Sequence, residues 1–138
     1  MNRYTVSWCA IAAGLLLWTG NGTGAVLETE RGWIEEAGRL VEAAGTSSAD
    51  AAGFNRAVRD SRAVLRKLVN EARQRELAAD HRQLHSNMIL LDVLLKSAAS
   101  CQEGGRIVCP AMLMVQLKAV LKNTRNQYQQ VWAAHRSQ

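Results

Sequence analysis

The sequence predicts an all-α protein, a small up-and-down bundle of three to four helices with one disulfide across the last interhelical loop. Three observations predict it. Beyond residue 25 the only aromatics are Trp33, Phe54, Tyr128 and Trp132, and the only proline is Pro110; a β-sandwich needs many more aromatic, β-branched and turn residues. Apolar residues recur at spacings of three and four through most of that stretch, which is the repeat of an amphipathic helix. Cys101 and Cys109 bracket seven residues that include Gly104-Gly105, so the chain can reverse there and bring two sulfurs together.

Residues 1–25 read as a cleavable signal peptide. Arg3 supplies the charged start, an apolar run from about Ala10 to Trp18 follows, and small polar residues close the segment, the order of a secretory signal. Thr23 and Ala25 place the cut between Ala25 and Val26, and Gly20, Gly22 and Gly24 are expected to keep that stretch extended rather than helical. The apolar run falls short of the roughly 20 residues that cross a bilayer. Cys9 lies ahead of the apolar core, where it is no lipoprotein cysteine, and leaves with the peptide. Removing 25 of the 138 residues leaves 113, one domain spanning 26–138. Taking Arg3 from the 17 basic residues and keeping all 12 acidic ones leaves a net charge of +4. The expected location is periplasmic or secreted, where an even cysteine count implies pairing.

Each helix has its own signature. From about Glu28 to Ala44 the stripe is Trp33, Ile34, Ala37, Leu40, Val41 and Ala44, with Gly45 as the stop. Ser48 or Asp50 can cap the next helix, whose stripe is Phe54, Val58, Ser61, Leu65, Leu68 and Ala72. A third stripe, Leu77, His81, Leu84, Met88, Leu91, Leu95 and Ala98, has a different phase. Residues 50–99 thus form either one long helix that absorbs a stutter or two helices. A single rod of about 50 residues would span roughly 75 Å, too long for this globule, so a turn is expected near Ala78-Ala79-Asp80, with Asp80 and Gln83 as a capping box. Pro110 starts the last helix, which shows Leu113, Leu117, Val120, Leu121, Tyr128 and Val131 on one side. Such stripes can equally be satisfied between chains, which leaves room for a homo-oligomer.

Chemistry is sparse. The two cysteines lack the spacing of a CxxC redox site, a CxxCH haem attachment or a zinc quartet. GxSxG, a P-loop and a DxD pair of carboxylates are absent from the sequence, and Asp60 and Asp92 read as single solvent-facing carboxylates. The expectation is therefore a non-catalytic protein with no catalytic residue and no cofactor. Met88, Met112 and Met114 read as core fillers.

Arg59, Arg62, Arg66 and Arg73 share one flank of the second helix and are the candidate partner-binding residues. They suit a protein partner or an anionic envelope surface; the alternative is that Glu35, Glu36 and Glu42 of the first helix pair with them, or that water solvates them. From Arg106 onward there are five basic residues and no acidic one. Nucleic acid is disfavoured by export and by the scarcity of aromatics that stack on bases. The rival function is a small-ligand or metal-binding bundle using His81 and His85, which stand four apart on one helix face. The segment reads HRQLH, without the glutamate of HExxH, and a further ligand has to come from another helix. Arg82 beside them and the terminal His135 read as poor additions to such a site.

Overall fold

A computed structural model describes residues 22–137. Within them four helices follow one another: α1, Gly22–Thr46; α2, Ala51–Ala72; α3, Ala79–Ala99; and α4, Ala111–Arg136. A two-residue hairpin, β1 Gln102–Glu103 and β2 Arg106–Ile107, joins α3 to α4. Most of the signal-peptide reading falls outside the described residues. The extended backbone expected at Gly22 and Gly24 is corrected: Gly22–Ala25 form the first turn of α1, and the Thr29 hydroxyl donates back to Ala25 O at 3.0 Å.

The helices run up, down, up and down. Trp33 Nε1 donates to Ser61 O at 2.9 Å, Asn55 Nδ2 to Ala99 O at 3.3 Å and Gln127 Nε2 to Asp80 O at 3.0 Å. The first joins the middles of α1 and α2, and the other two tie the start of one helix to the end of its neighbour. The core between them is aliphatic: Leu84, Met88, Leu91, Leu95 and Leu117 are fully buried. All seven positions of the third stripe lie in the packed interior except Leu77, which is half-buried.

Residues 50–99 are two helices. The stripes change phase between Ala72 and Leu77 because the chain leaves the helix at Arg73 and re-enters it at Ala79. The turn lies just upstream of the expected position, and the capping box is not formed: Ala78 is the N-cap and makes no side-chain cap bond, while Asp80 sits inside the first turn. The α2 cap is Asp50, whose Oδ2 accepts from Gly53 N at 2.9 Å. At the end of α1, Gly45 is still helical. The left-handed residue is Ser47, at φ 55°, and Gly45 instead leaves room for Met114 of α4, which a Cβ there would meet at 3.0 Å. Pro110 stands one residue before α4, as its N-cap.

Gly104 and Gly105 both have positive φ, 59° and 74°, as a two-residue hairpin turn requires. The hairpin then reaches across to the α1–α2 connection, with Ile107 N donating to Ala49 O at 3.1 Å and Ala51 N to Gly105 O at 2.9 Å. Ile107 is fully buried under this junction. Cys101 and Cys109 flank the hairpin 4.3 Å apart as two free thiols, so a disulfide is not formed in this structure. Two further expectations are corrected. Met112 is 70% exposed rather than a core filler, and Asp92 is buried rather than solvent-facing, because its position faces α2. No helix among the described residues is long and apolar enough to cross a membrane.

Candidate metal centre

The end of the bundle opposite the hairpin gathers the start of α1, the α2–α3 connection and the end of α4. On α1, Leu27, Glu30, Ile34 and Ala37 recur at the three-and-four spacing and are all buried. Helical register therefore drives a carboxylate into the core. On α3, His81 and His85 are one turn apart and both buried, with Leu84 and Met88 locking that face against the neighbouring helices.

The three side chains meet. His81 Nε2 lies 2.7 Å from Glu30 Oε1, and since a carboxylate only accepts, His81 donates from Nε2. His85 Nε2 is 3.4 Å from the same oxygen, without hydrogen-bond alignment. The two imidazoles face each other edge-on, with centroids 5.0 Å apart and ring planes at 72°. Glu30 Oε2 and His85 Nε2 are both buried with no partner.

Such a cluster is not what core packing alone selects. An ionised carboxylate withdrawn from water is costly by several kcal/mol unless its lone pairs are matched, and here a single strong bond serves two oxygens. Burial pushes the Glu30 carboxyl up, but the hydrogen bond with His81, the close approach of His85 and the charge that both imidazoles can carry outweigh it and hold the group below its ordinary value. Glu30 is therefore a carboxylate at neutral pH.

Each of the three residues offers one ligand atom, and these atoms lie within 4.8 Å of one another. Two imidazole nitrogens and one carboxylate oxygen form a donor set that suits zinc, with bonds of about 2.0–2.2 Å and a fourth position left open. Tetrahedral bonds of that length separate donors by about 3.3 Å. The 3.4 Å pair already has this spacing, and the 2.7 Å pair reaches it by a small opening once the shared proton leaves. A cavity of about 380 Å³ adjoins His81 and His85. At its mouth stand Glu71, Glu76 and Asp80 against a single Arg75, an acid surplus that draws cations. Arg82 is exposed, on the outer side of α3 away from the cluster. His135 lines the same cavity from α4.

The arginine flank is arranged otherwise. Arg59, Arg66 and Arg73 are exposed, whereas Arg62 is half-buried and its Nε lies 3.2 Å from Asp92 Oδ2 of α3. Glu36, one of the acids that could have faced this flank, pairs with Arg39 on its own helix. Sequence reasoning missed Glu30, although its place three residues upstream of Trp33, in register with Leu27 and Ile34, was a usable signal. No family model, curated protein or solved structure matches the chain.

Proposed function

We propose that this protein is an exported helical bundle that binds a zinc ion inside its core through Glu30, His81 and His85, beside a cavity lined by both histidines. One observation carries the reading: a fully buried carboxylate set between two buried imidazoles, with Glu30 Oε2 and His85 Nε2 left unpartnered. Third-ligand supply from a different helix was what HRQLH alone lacked, and α1 provides it. The acidic mouth of the cavity supports cation entry, and the three-residue donor set supports exchange of a small ligand on the ion.

Export belongs to the same reading. Its support is the charged, apolar and small-residue order of residues 1–25 and the even pair Cys101 and Cys109, which an oxidising compartment turns into a crosslink.

Calorimetric titration of the purified protein with Zn²⁺ tests the metal reading. One saturable site is expected, with loss of most of the affinity in His85→Ala and in Glu30→Gln, which preserves shape but removes charge. Weak, multi-site uptake that is unchanged in both variants would remove zinc binding from consideration and leave the cluster as a buried hydrogen-bonded trio.

A further inference from the structure

The outer face of the α2–α3 pair combines positive charge with bare aliphatic side chains. At 100° per residue, Arg59, Arg62, Arg66 and Arg73 fall within an arc of about 60° on α2, on the side turned toward α3. On α3, Lys96, Ile89, Arg82 and Val93 fall within a similar arc on the side turned toward α2. Antiparallel packing, fixed by the Asn55–Ala99 bond and the Arg62–Asp92 pair, sets the two arcs side by side. Asp92 of α3 lies between them. It is buried and already engaged by Arg62, with Arg66 and Lys96 close enough to act on it as well. The face therefore keeps a large positive excess, while Ile89 and Val93 stand 43% and 50% exposed at its centre.

We propose that this face docks on an anionic phospholipid surface, with Ile89 and Val93 entering the headgroup boundary and the exposed Arg59, Arg66, Arg73 and Lys96 pairing with lipid phosphates. Two features favour lipid over an acidic protein. Protein interfaces are anchored by aromatic, methionine and arginine side chains packed into pockets; this face offers arginine but neither aromatics nor methionine, and the described cavity opens elsewhere. Short aliphatic side chains ringed by long cationic stems are instead the arrangement of interfacial helices, since the stems lie along apolar surface while their heads reach phosphate. The zinc reading plays no part in this inference.

Vesicle co-sedimentation tests it, using full-length protein expressed in a bacterium and purified as the cell leaves it. Binding to phosphatidylcholine vesicles containing one third phosphatidylglycerol is expected to exceed binding to pure phosphatidylcholine by at least about tenfold and to weaken with salt. Arg59→Glu with Arg66→Glu is expected to abolish that preference, and Ile89→Ser with Val93→Ser to lower binding severalfold. Lys118→Glu with Lys122→Glu, the same charge change on exposed positions of α4, is expected to retain most of it, which separates a docking face from net charge. Equal binding to neutral and anionic vesicles, no binding to either, or equal loss in the α2 and α4 variants overturns the proposal. Thermal melts of all variants check that each is folded.

Discussion

Glu30 and His81 are 51 positions apart in the chain and 2.7 Å apart in the fold. That contact ties α1 to α3 across the diagonal of the bundle and places a carboxylate where a metal can replace a proton. Zinc should then stabilise the protein by mass action. At a free concentration about a hundredfold above Kd the gain is about 2.7 kcal/mol, which for a domain of this size raises Tm by roughly 10 °C. Thermal melts with Zn²⁺ and after chelation measure it, and a Tm that ignores both sinks the idea.

The same contact sets an acid limit. The Glu30 carboxyl is held below its ordinary value in the fold, so its stabilising contribution is fully present above the ordinary carboxylate range and is lost as pH falls through the lower, folded value. Melts of the metal-free protein between pH 6 and 2 should show a decline in stability over that interval that Glu30→Gln lacks. Parallel profiles for the two proteins would contradict the assignment.

Most of the fold was legible in the sequence because a helix writes its buried face at a fixed period, and Phe54, Val58, Leu65, Leu84, Leu91 and Leu117 are buried as their spacing requires. Two kinds of feature were not. Polar residues on a stripe carry no label saying what they meet: Glu30 and Asp92 are buried through register, while their partners arrive from other helices. Local stops were also misplaced, since Ser47 took the left-handed conformation that Gly45 was expected to adopt, and the Gly45 position was used for contact with Met114. The hairpin was readable only as a turn, because its pairing to Ala49 depends on two loops meeting at one end of the bundle.

Asp92 behaves oppositely to Glu30. Burial pushes its carboxyl up, and the positive charges of Arg62, Arg66 and Lys96 only partly offset this. A raised folded value means that ionised Asp92 lowers stability at neutral pH, and that stability contributed by its protonated form returns as pH falls through that value. Asp92→Asn should therefore be neutral or mildly stabilising at pH 7 by thermal melt, despite breaking a visible ion pair. A loss above about 2 kcal/mol would show that the Arg62 pair outweighs desolvation.

Two glycines should respond with opposite signs. Gly32 is exposed in mid-α1 and a Cβ there meets nothing within 4 Å, so Gly32→Ala should stabilise by about 0.5–1 kcal/mol through helix propensity and a less flexible unfolded chain. Gly105, at φ 74°, also has open space around it, but an L side chain strains the backbone by about 1–2 kcal/mol. Gly105→Ala should therefore destabilise. Denaturant midpoints measure both, and equal signs would refute the argument from backbone conformation.

The thiols of Cys101 and Cys109 are 4.3 Å apart, against about 2.05 Å for a bonded pair, on either side of a hairpin already closed by its own backbone bonds. Cys101 Sγ currently donates to Ser97 O at 3.4 Å, a weak bond that a side-chain rotation gives up. Burial first, and the neighbouring Cys101 second, push the Cys109 thiol up to about 11, so it is a poor thiolate nucleophile at neutral pH. Pairing should then be slow in air, and prompt in a compartment that supplies a disulfide-exchange catalyst. Under the export proposed above, protein recovered from the periplasm or culture medium under non-reducing, thiol-blocking conditions should weigh two hydrogens less than the reduced chain. Reduction should lower its stability by about 2–3 kcal/mol, the chain-entropy contribution of so short a loop. Two blocked thiols on the protein so recovered would show that the hairpin holds its cysteines close without joining them.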